Sequence, residues 1–458
     1  MFFGHYLQGE IAHHPPLALA YLAAVVREKG HCVSIIDAAA ERLTLQHLSN
    51  RIEEFHPDVI GITTNIGIYD KSIHTARHLK LHFSRIPIIM GGPWATMEYK
   101  TILKRGIADV VVIGEGEKTI VELMEKFQDR ASWASIQGIA FLDQNGHVEK
   151  TKPRELITDL EALPFPAWDL FPSNKKYKFP HRRFPFYPVM TSRGCPFDCI
   201  HCTKIVHGYK FRARPPENII AEIQYLKEKH QAREVLIIDD VFNLDISRAK
   251  QIMARIIASN LDITISFTNG IRADRLDEDL VSKFKNAGVY SVALGIESGC
   301  QEIVDKIGKK LDLQKVEIAV RLLKKYNIVT MGFFILGHPY DTYNTMIQTL
   351  VFAKHLDLDY PHFFKAIPFP GSQMYEMIKK EGKFHNSQGA KDTYIVKAFP
   401  FDIWKLRAKD AEKAFNLSYR LFYLRPRKIL QLITRARSRY ELAWLFRAFI
   451  NIIVRNLI

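Results

Sequence analysis

Residues 191–204 read Thr-Ser-Arg-Gly-Cys-Pro-Phe-Asp-Cys-Ile-His-Cys-Thr-Lys and place Cys195, Cys199 and Cys202 within eight positions. The whole chain has five cysteines in 458 residues, so this is a thiol cluster in a thiol-poor protein. Thiolate is a soft ligand suited to zinc, copper or iron–sulfur clusters. Three thiolates would hold three corners of a four-iron cube and leave one iron without a protein ligand. A structural zinc ion takes four ligands, and His201 is a candidate fourth, although it adjoins Cys202, where neighbouring side chains diverge. A disulfide would leave one thiol over, and Met1 lacks the flanks of a signal peptide. The iron–sulfur reading leads; zinc stays open.

The run before the triplet, FYPVMTS, reads as the first strand of an α/β series. EVLIIDD, ITISFTN, VYSVALGIE, IVTMGFFILG and a sixth run near 358–367 continue it. Helical patterns are expected at 216–230, 247–259, 278–287, 301–325 and 342–355. Six such steps predict a partial (β/α)6 parallel barrel over 181–385. In β/α barrels chemistry gathers at the carboxyl ends of the strands, which is where the triplet falls.

Residues 1–135 carry a separate alternation. Strand-like runs are CVSIID, DVIGIT, PIIMGG and DVVVIGEG, with helical patterns at roughly 16–29, 44–55, 70–84, 96–105 and 117–127. This predicts a doubly wound, Rossmann-like α/β domain. Ligands of such sheets sit beyond the carboxyl ends of the strands, here near Asp37, Thr64, Gly91, Gly92 and Glu115. Residues 136–180 form the join. GIAFLDQNGHVEK reads as a hairpin turning at Asn145-Gly146, and prolines 164, 166 and 172 mark a linker.

The net charge is +15, with 47% hydrophobic and 25% charged residues, ordinary for a globular chain. No run of about 18 apolar residues predicts a spanning helix. Residues 386–458 are expected to be a basic helical region, and beyond residue 420 its only acid is Glu441. Its interleaved apolar residues suit either packing on the body or peripheral contact with an anionic membrane. No nucleic-acid module accompanies the charge. The expected location is cytoplasmic, with contact at the inner membrane face left open.

Cys-x3-Cys-x2-Cys on the loop after a first barrel strand resembles the radical S-adenosylmethionine superfamily. The resemblance implies a [4Fe–4S] cluster on Cys195, Cys199 and Cys202 whose open iron is chelated by S-adenosylmethionine. It also implies a 5′-deoxyadenosyl radical that takes hydrogen from an unreactive C–H bond, chemistry that proteins supply through cofactors. Adenosylmethionine contacts then fall on His201, where the family usually has Tyr, Phe or Trp, and on Asp240 after the second strand. They continue to Asn269 and Arg272 after the third, Glu297 ending the fourth, and Gly337 after the fifth.

PPLALAYLAAVVREKGHCVSIIDA, GGPWAT and GEGE look like the cobalamin-binding domain that precedes the barrel in one large subfamily. RARPPENIIAEI, LIIDDVFNLD and IPFPGSQMYE match its barrel, so the resemblance covers roughly 15–385. It implies cobalamin contacts at Thr64, Gly91, Gly92, Trp94 and Glu115. Two departures stand out. The subfamily commonly opens with a strand like KVLLVNPP, which MFFGHYLQGEIAHHPP lacks, so the first strand is expected to be missing. The usual GGPH-like turn ends in Trp94, which packs on the corrin or fills the core. The Asp-x-His-x2-Gly signature of a histidine lower ligand is absent.

The implied activity is cobalamin-dependent methyl transfer to an unactivated carbon of a small molecule such as a tetrapyrrole, lipid or natural product. A flavodoxin or ferredoxin would supply electrons. Oxidative cyclisation or ring rearrangement on the same scaffold is the runner-up, and a non-catalytic zinc or corrinoid-binding protein is the alternative from another class.

Overall fold

A computed structural model of the chain describes residues 14–385 and 399–423, together with residues 425, 426, 429, 430 and 446. Two sheets organise it. The first contains β1 (Ile60–Thr63), β2 (Ile88–Gly91), β3 (Val110–Val112), β4 (Ile139–Leu142) and β5 (Val148–Lys150), in that order. β1, β2 and β3 run parallel, while β4 and β5 are antiparallel to their neighbours. The hairpin therefore extends the first sheet past residue 135 and is more than a join.

CVSIID is not a strand. A strand needs a ladder partner, and β1 is the sheet's edge, with no described strand on its outer side. Residues 31–37 run without regular structure, and Ile35 packs with Ala23, Ala24 and Ala167. Asp37 ends the run and caps the short helix Ala38–Glu41 by accepting from the Ala40 N–H at 3.0 Å.

The second sheet is wholly parallel, in the order β13-β12-β11-β10-β9-β6. Its strands are β6 (Phe186–Val189), β9 (Glu234–Ile237), β10 (Thr264–Ile271), β11 (Val289–Glu297), β12 (Val329–Leu336) and β13 (Tyr360–Lys365). A two-stranded ribbon, β7 (Ser192–Arg193) with β8 (Arg212–Ala213), flanks the cysteine loop. Helix starts follow local chemistry: Asp245, Asp277 and Asp312 each cap one, and Thr342 closes a capping box with Thr345. The outer faces of the strands bury apolar side chains against these helices, as Phe242, Phe267 and Phe284 do between β10 and its helices.

The helix expected over 301–325 is two helices, Gln301–Lys306 and Leu313–Lys325. Gly308 (φ +71) and Lys310 (φ +49) adopt left-handed backbone between them, and Asp312 starts the second. Beyond the barrel, β14 (Gly382–Phe384) pairs antiparallel with β15 (Phe401–Ile403), and the helix Ala408–Tyr423 follows. Most of the basic tail lies outside the described residues. Among those residues no helix is long and apolar enough to cross a membrane.

Candidate active site

The cysteine loop leaves β7 at Gly194, whose positive φ of +83 and lack of Cβ let it press on the carbonyl of Lys210. Asp240, just after β9, accepts from the Gly194 N–H at 2.8 Å and faces His207 Nδ1 at 3.1 Å. Burial works to raise its pKa, but His207 and that N–H outweigh it and hold the carboxyl below its usual range. Asp239, beside it, is spent on Thr191 and Ser192 and anchors the strand end.

The other side of the loop rests on the turn between the two helices. Ile200 N–H donates to Ile307 O at 3.0 Å, and the Cys199 thiol approaches Gly308 O at 3.8 Å. A Cβ on Gly308 would stand 2.6 Å from Asp198 O, so the contact requires glycine. Arg272 braces the same turn. Its guanidinium grips Asp274 through two bonds of 2.8 Å and donates to the carbonyls of Lys309 at 2.9 Å and Lys310 at 2.5 Å. It also stacks 3.8 Å over the ring of Phe197. Arg272 thus holds the loop in place and has its donors engaged by the protein.

Glu297 closes β11 in left-handed backbone (φ +69), after a register shift from Gly295. Such a conformation is uncommon for a residue with a Cβ and persists only where the surroundings impose it. Its buried carboxylate pairs with Lys309 at 2.8 Å. Burial opposes ionisation, but Lys309 keeps the acid below its usual range. Lys309 falls inside the single helix that periodicity predicts over 301–325, which hides it; Gly308 and the cap at Asp312 are the sequence signals that expose it.

His201 faces His338, with ring centroids 5.2 Å apart. His338 is fully buried, and neither ring nitrogen has a hydrogen-bond partner; His201 Nδ1 also lacks one. Burial drives the His338 pKa down to about 3, so it is neutral and offers one donor and one acceptor. Buried polar atoms left unpaired cost free energy, and such orphans beside the thiol loop fit a polar ligand. Gly337 (φ +86) precedes His338, and the ring of Phe399 occupies the space over its Cα. Asn269 is exposed and donates to Ile238 O at 2.7 Å.

All five cysteines are free thiols. Among the described residues no three His, Cys, Asp or Glu side chains converge as the ligands of a single ion would. Burial pushes the Cys199 thiol up, with Lys309 pulling the other way. The donor set of three thiols, a nearby cation and unpaired imidazoles fits a cluster with an adjoining polar cofactor.

On the first sheet, Thr64 is buried and its carbonyl accepts from the Trp94 N–H at 3.2 Å. Gly92 (φ +94) approaches so closely that a Cβ would stand 2.7 Å from that carbonyl, so the strand ends themselves require glycine there. Gly91 lies beside Val112. Trp94 is fully buried, packs on Tyr69 with centroids 5.3 Å apart, and leaves Nε1 unpartnered. Trp94 thus sits within the core of the first domain. Glu115 is also not free for a ligand: Arg193 at 3.2 Å, Arg212 at 2.9 Å and the Ile157 N–H at 2.8 Å take its oxygens. Beyond β3, nothing lies within 4 Å of the position a Cβ would take on Gly114 (φ +78).

The two rims meet. Arg193, at the end of β7, binds Glu115 and Glu117 past the end of β3, and Arg212 joins them. The carboxyl end of the first sheet is thereby fastened to the root of the cysteine loop.

Comparisons with known proteins agree with this layout. A model of the radical SAM superfamily matches residues 189–353, and one of the B12 binding domain matches residues 12–124. An uncharacterized methyltransferase of Pyrococcus horikoshii is 35% identical over 91% of this chain and 89% of its own length. The anaerobic magnesium-protoporphyrin IX monomethyl ester cyclase of Rubrivivax gelatinosus is 26% identical over 80% of this chain and 66% of its own. In fold, the chain is similar to the cobalamin-dependent S-adenosylmethionine radical enzyme OxsB, solved with aqua-cobalamin and S-adenosylmethionine. The TM-score is 0.75 at 16% identity, covering 96% of this chain and 70% of that one.

Proposed function

Because the chain belongs to the radical S-adenosylmethionine superfamily, in the branch that carries a B12-binding domain, we propose that it is an enzyme that places a methyl group on an unactivated carbon of a small molecule. The observation that carries this reading is the joined rims, with Arg193 and Arg212 fastening Glu115 and Glu117 beside the cysteine loop. Methyl delivery needs the corrinoid face and the radical-generating face to share one substrate space, and this joint supports that arrangement. When bound, the cluster with adenosylmethionine supplies a carbon radical, and cobalamin supplies the methyl group.

The chain's own residues have the following parts. Cys195, Cys199 and Cys202 hold the cluster. Asp240 and Arg272 fix the loop from opposite sides, through Gly194 and through Phe197. Glu297, held ionised by Lys309, presents negative charge suited to the cationic groups of adenosylmethionine. His201 and His338 offer neutral imidazole edges to its polar base. A one-electron donor of the flavodoxin or ferredoxin type supplies the electron, and the substrate is a tetrapyrrole, lipid or natural product. Similarity to the ester cyclase favours radical cyclisation as the second reading.

Anaerobic reconstitution with iron, sulfide and hydroxocobalamin tests the proposal. The expected product is a brown protein that retains cobalamin on gel filtration and, once reduced, cleaves adenosylmethionine to 5′-deoxyadenosine. Cys199→Ala should lose the cleavage. A colourless protein inert to dithionite ends the radical reading. A brown, active protein that never retains cobalamin ends the methyl-transfer reading alone.

A further inference from the structure

We propose that Lys309 is the fixed positive charge that sets the reduction potential of the cluster held by Cys195, Cys199 and Cys202, with Glu297 as the residue that positions it. The inference rests on the iron–sulfur reading above and adds a role for Lys309 that it does not contain.

The turn Ile307–Lys310 is wedged against the cysteine loop through Ile200 N–H to Ile307 O, Cys199 Sγ to Gly308 O, and the glycine contact with Asp198. Arg272 locks it from outside through the Lys309 and Lys310 carbonyls. With its main chain pinned, Lys309 turns its side chain inward. The side chain is only 14% exposed, and its ammonium meets Glu297 at 2.8 Å. A lysine is a flexible, strongly hydrated cation that is seldom buried without a reason. Bracing Glu297 is one reason, and its place is another: residue 309 directly follows Gly308, whose carbonyl lies 3.8 Å from the Cys199 thiol, so a buried cation stands beside the cluster-ligand loop.

A cluster on three thiolates becomes more negative when it accepts an electron. A cation within a partly dehydrated site favours that reduced state, because the charges interact through a lower dielectric than water. Removing the cation makes reduction harder and moves the midpoint to more negative potential. Removing only the carboxylate leaves the cation uncompensated and moves it the other way.

The test is a potentiometric titration of the full-length, anaerobically reconstituted protein, without adenosylmethionine, read by EPR of the reduced cluster. Lys309→Met should shift the midpoint to more negative potential, and Lys309→Arg should restore it. Glu297→Gln should shift it to more positive potential, and the double variant Glu297→Gln/Lys309→Met should return towards wild type. A merely structural brace predicts no such return, because both single losses and the double loss would disturb the loop. Lys309→Met with wild-type iron content and an unchanged midpoint overturns the proposal. If that variant holds no iron, Glu297→Gln decides, and an unchanged midpoint there overturns it equally. Wild-type protein that takes up no cluster sinks both this inference and the reading beneath it; a loaded wild type with coincident midpoints sinks this one alone.

Discussion

Arg193 Nη2 stands 2.6 Å from Glu117 Oε1, and both side chains are buried. The contact spans the joint between the two sheets, two residues before Cys195. Burial alone would raise the Glu117 pKa, but Arg193 overrides it and holds the carboxyl below its usual range. Removing one partner of a buried pair leaves a charge uncompensated and costs about 3–5 kcal/mol. Glu117→Gln is therefore expected to lower the unfolding free energy by about that amount and to reduce iron loading. Because the folded pKa is depressed, the pair's contribution is present above the ordinary Glu value of about 4.3 and is lost as pH falls through the folded value. Denaturant titrations of wild type and variant at neutral pH check the magnitude, and curves that coincide count against a tense joint.

Asp341 has the opposite pH sign. Burial pushes its pKa up to about 6, against hydrogen bonds from Thr345 and the backbone N–H groups of His338 and Gly337. Its folded value lies above the ordinary aspartate value of about 3.9, so the folded chain holds the proton more tightly. Its contribution is full below about pH 3.9 and is lost as pH rises through about 6, a change of roughly 3 kcal/mol. Stability of wild type relative to Asp341→Asn should fall by most of that amount between acid and neutral pH. A difference that does not vary with pH would contradict the assigned environment.

The barrel was legible because each strand is a short apolar run followed by a periodic helix, and a parallel sheet buries such runs on both faces. Six strands were expected, and six form the sheet. Cys195, Cys199 and Cys202 stand out in the sequence because their spacing and their place after the first barrel strand are both local features. Pairing was less legible. CVSIID has strand composition, yet a strand exists only beside a partner, which composition does not supply. The partners of Glu115 were hidden for a similar reason: Arg193 and Arg212 lie 78 and 97 positions away in sequence. Lys309 is hard to read from sequence because helical periodicity continues on both sides of a turn only a few residues long. Distant ion pairs and brief breaks decide this site, and both are weakest in a one-dimensional reading.

Gly308→Ala tests the turn directly. The substitution places a Cβ in left-handed backbone (φ +71) and 2.6 Å from Asp198 O. Strain of this kind costs about 1–3 kcal/mol, and here the neighbour is backbone and cannot simply rotate away. The expected result is a folded protein with a modest loss of stability and a larger loss of iron and sulfide per chain. Full iron loading in Gly308→Ala would mean that the cysteine loop does not depend on this contact.

Trp94 offers a test of what the first domain's rim is for. It is fully buried against Tyr69, and its indole N–H has no partner. Trp94→Ala should destabilise the cofactor-free protein by about 3–5 kcal/mol, since a large cavity opens in a packed core. Trp94→Phe keeps much of the packing and removes a buried donor whose isolation itself costs about 1–3 kcal/mol. The phenylalanine variant should therefore lose far less stability and retain added hydroxocobalamin as wild type does. Circular dichroism melts and cobalamin co-elution separate the two roles. A Trp94→Phe protein as stable as wild type that no longer retains cobalamin would make Trp94 a corrin contact, and its place in the core would then be secondary.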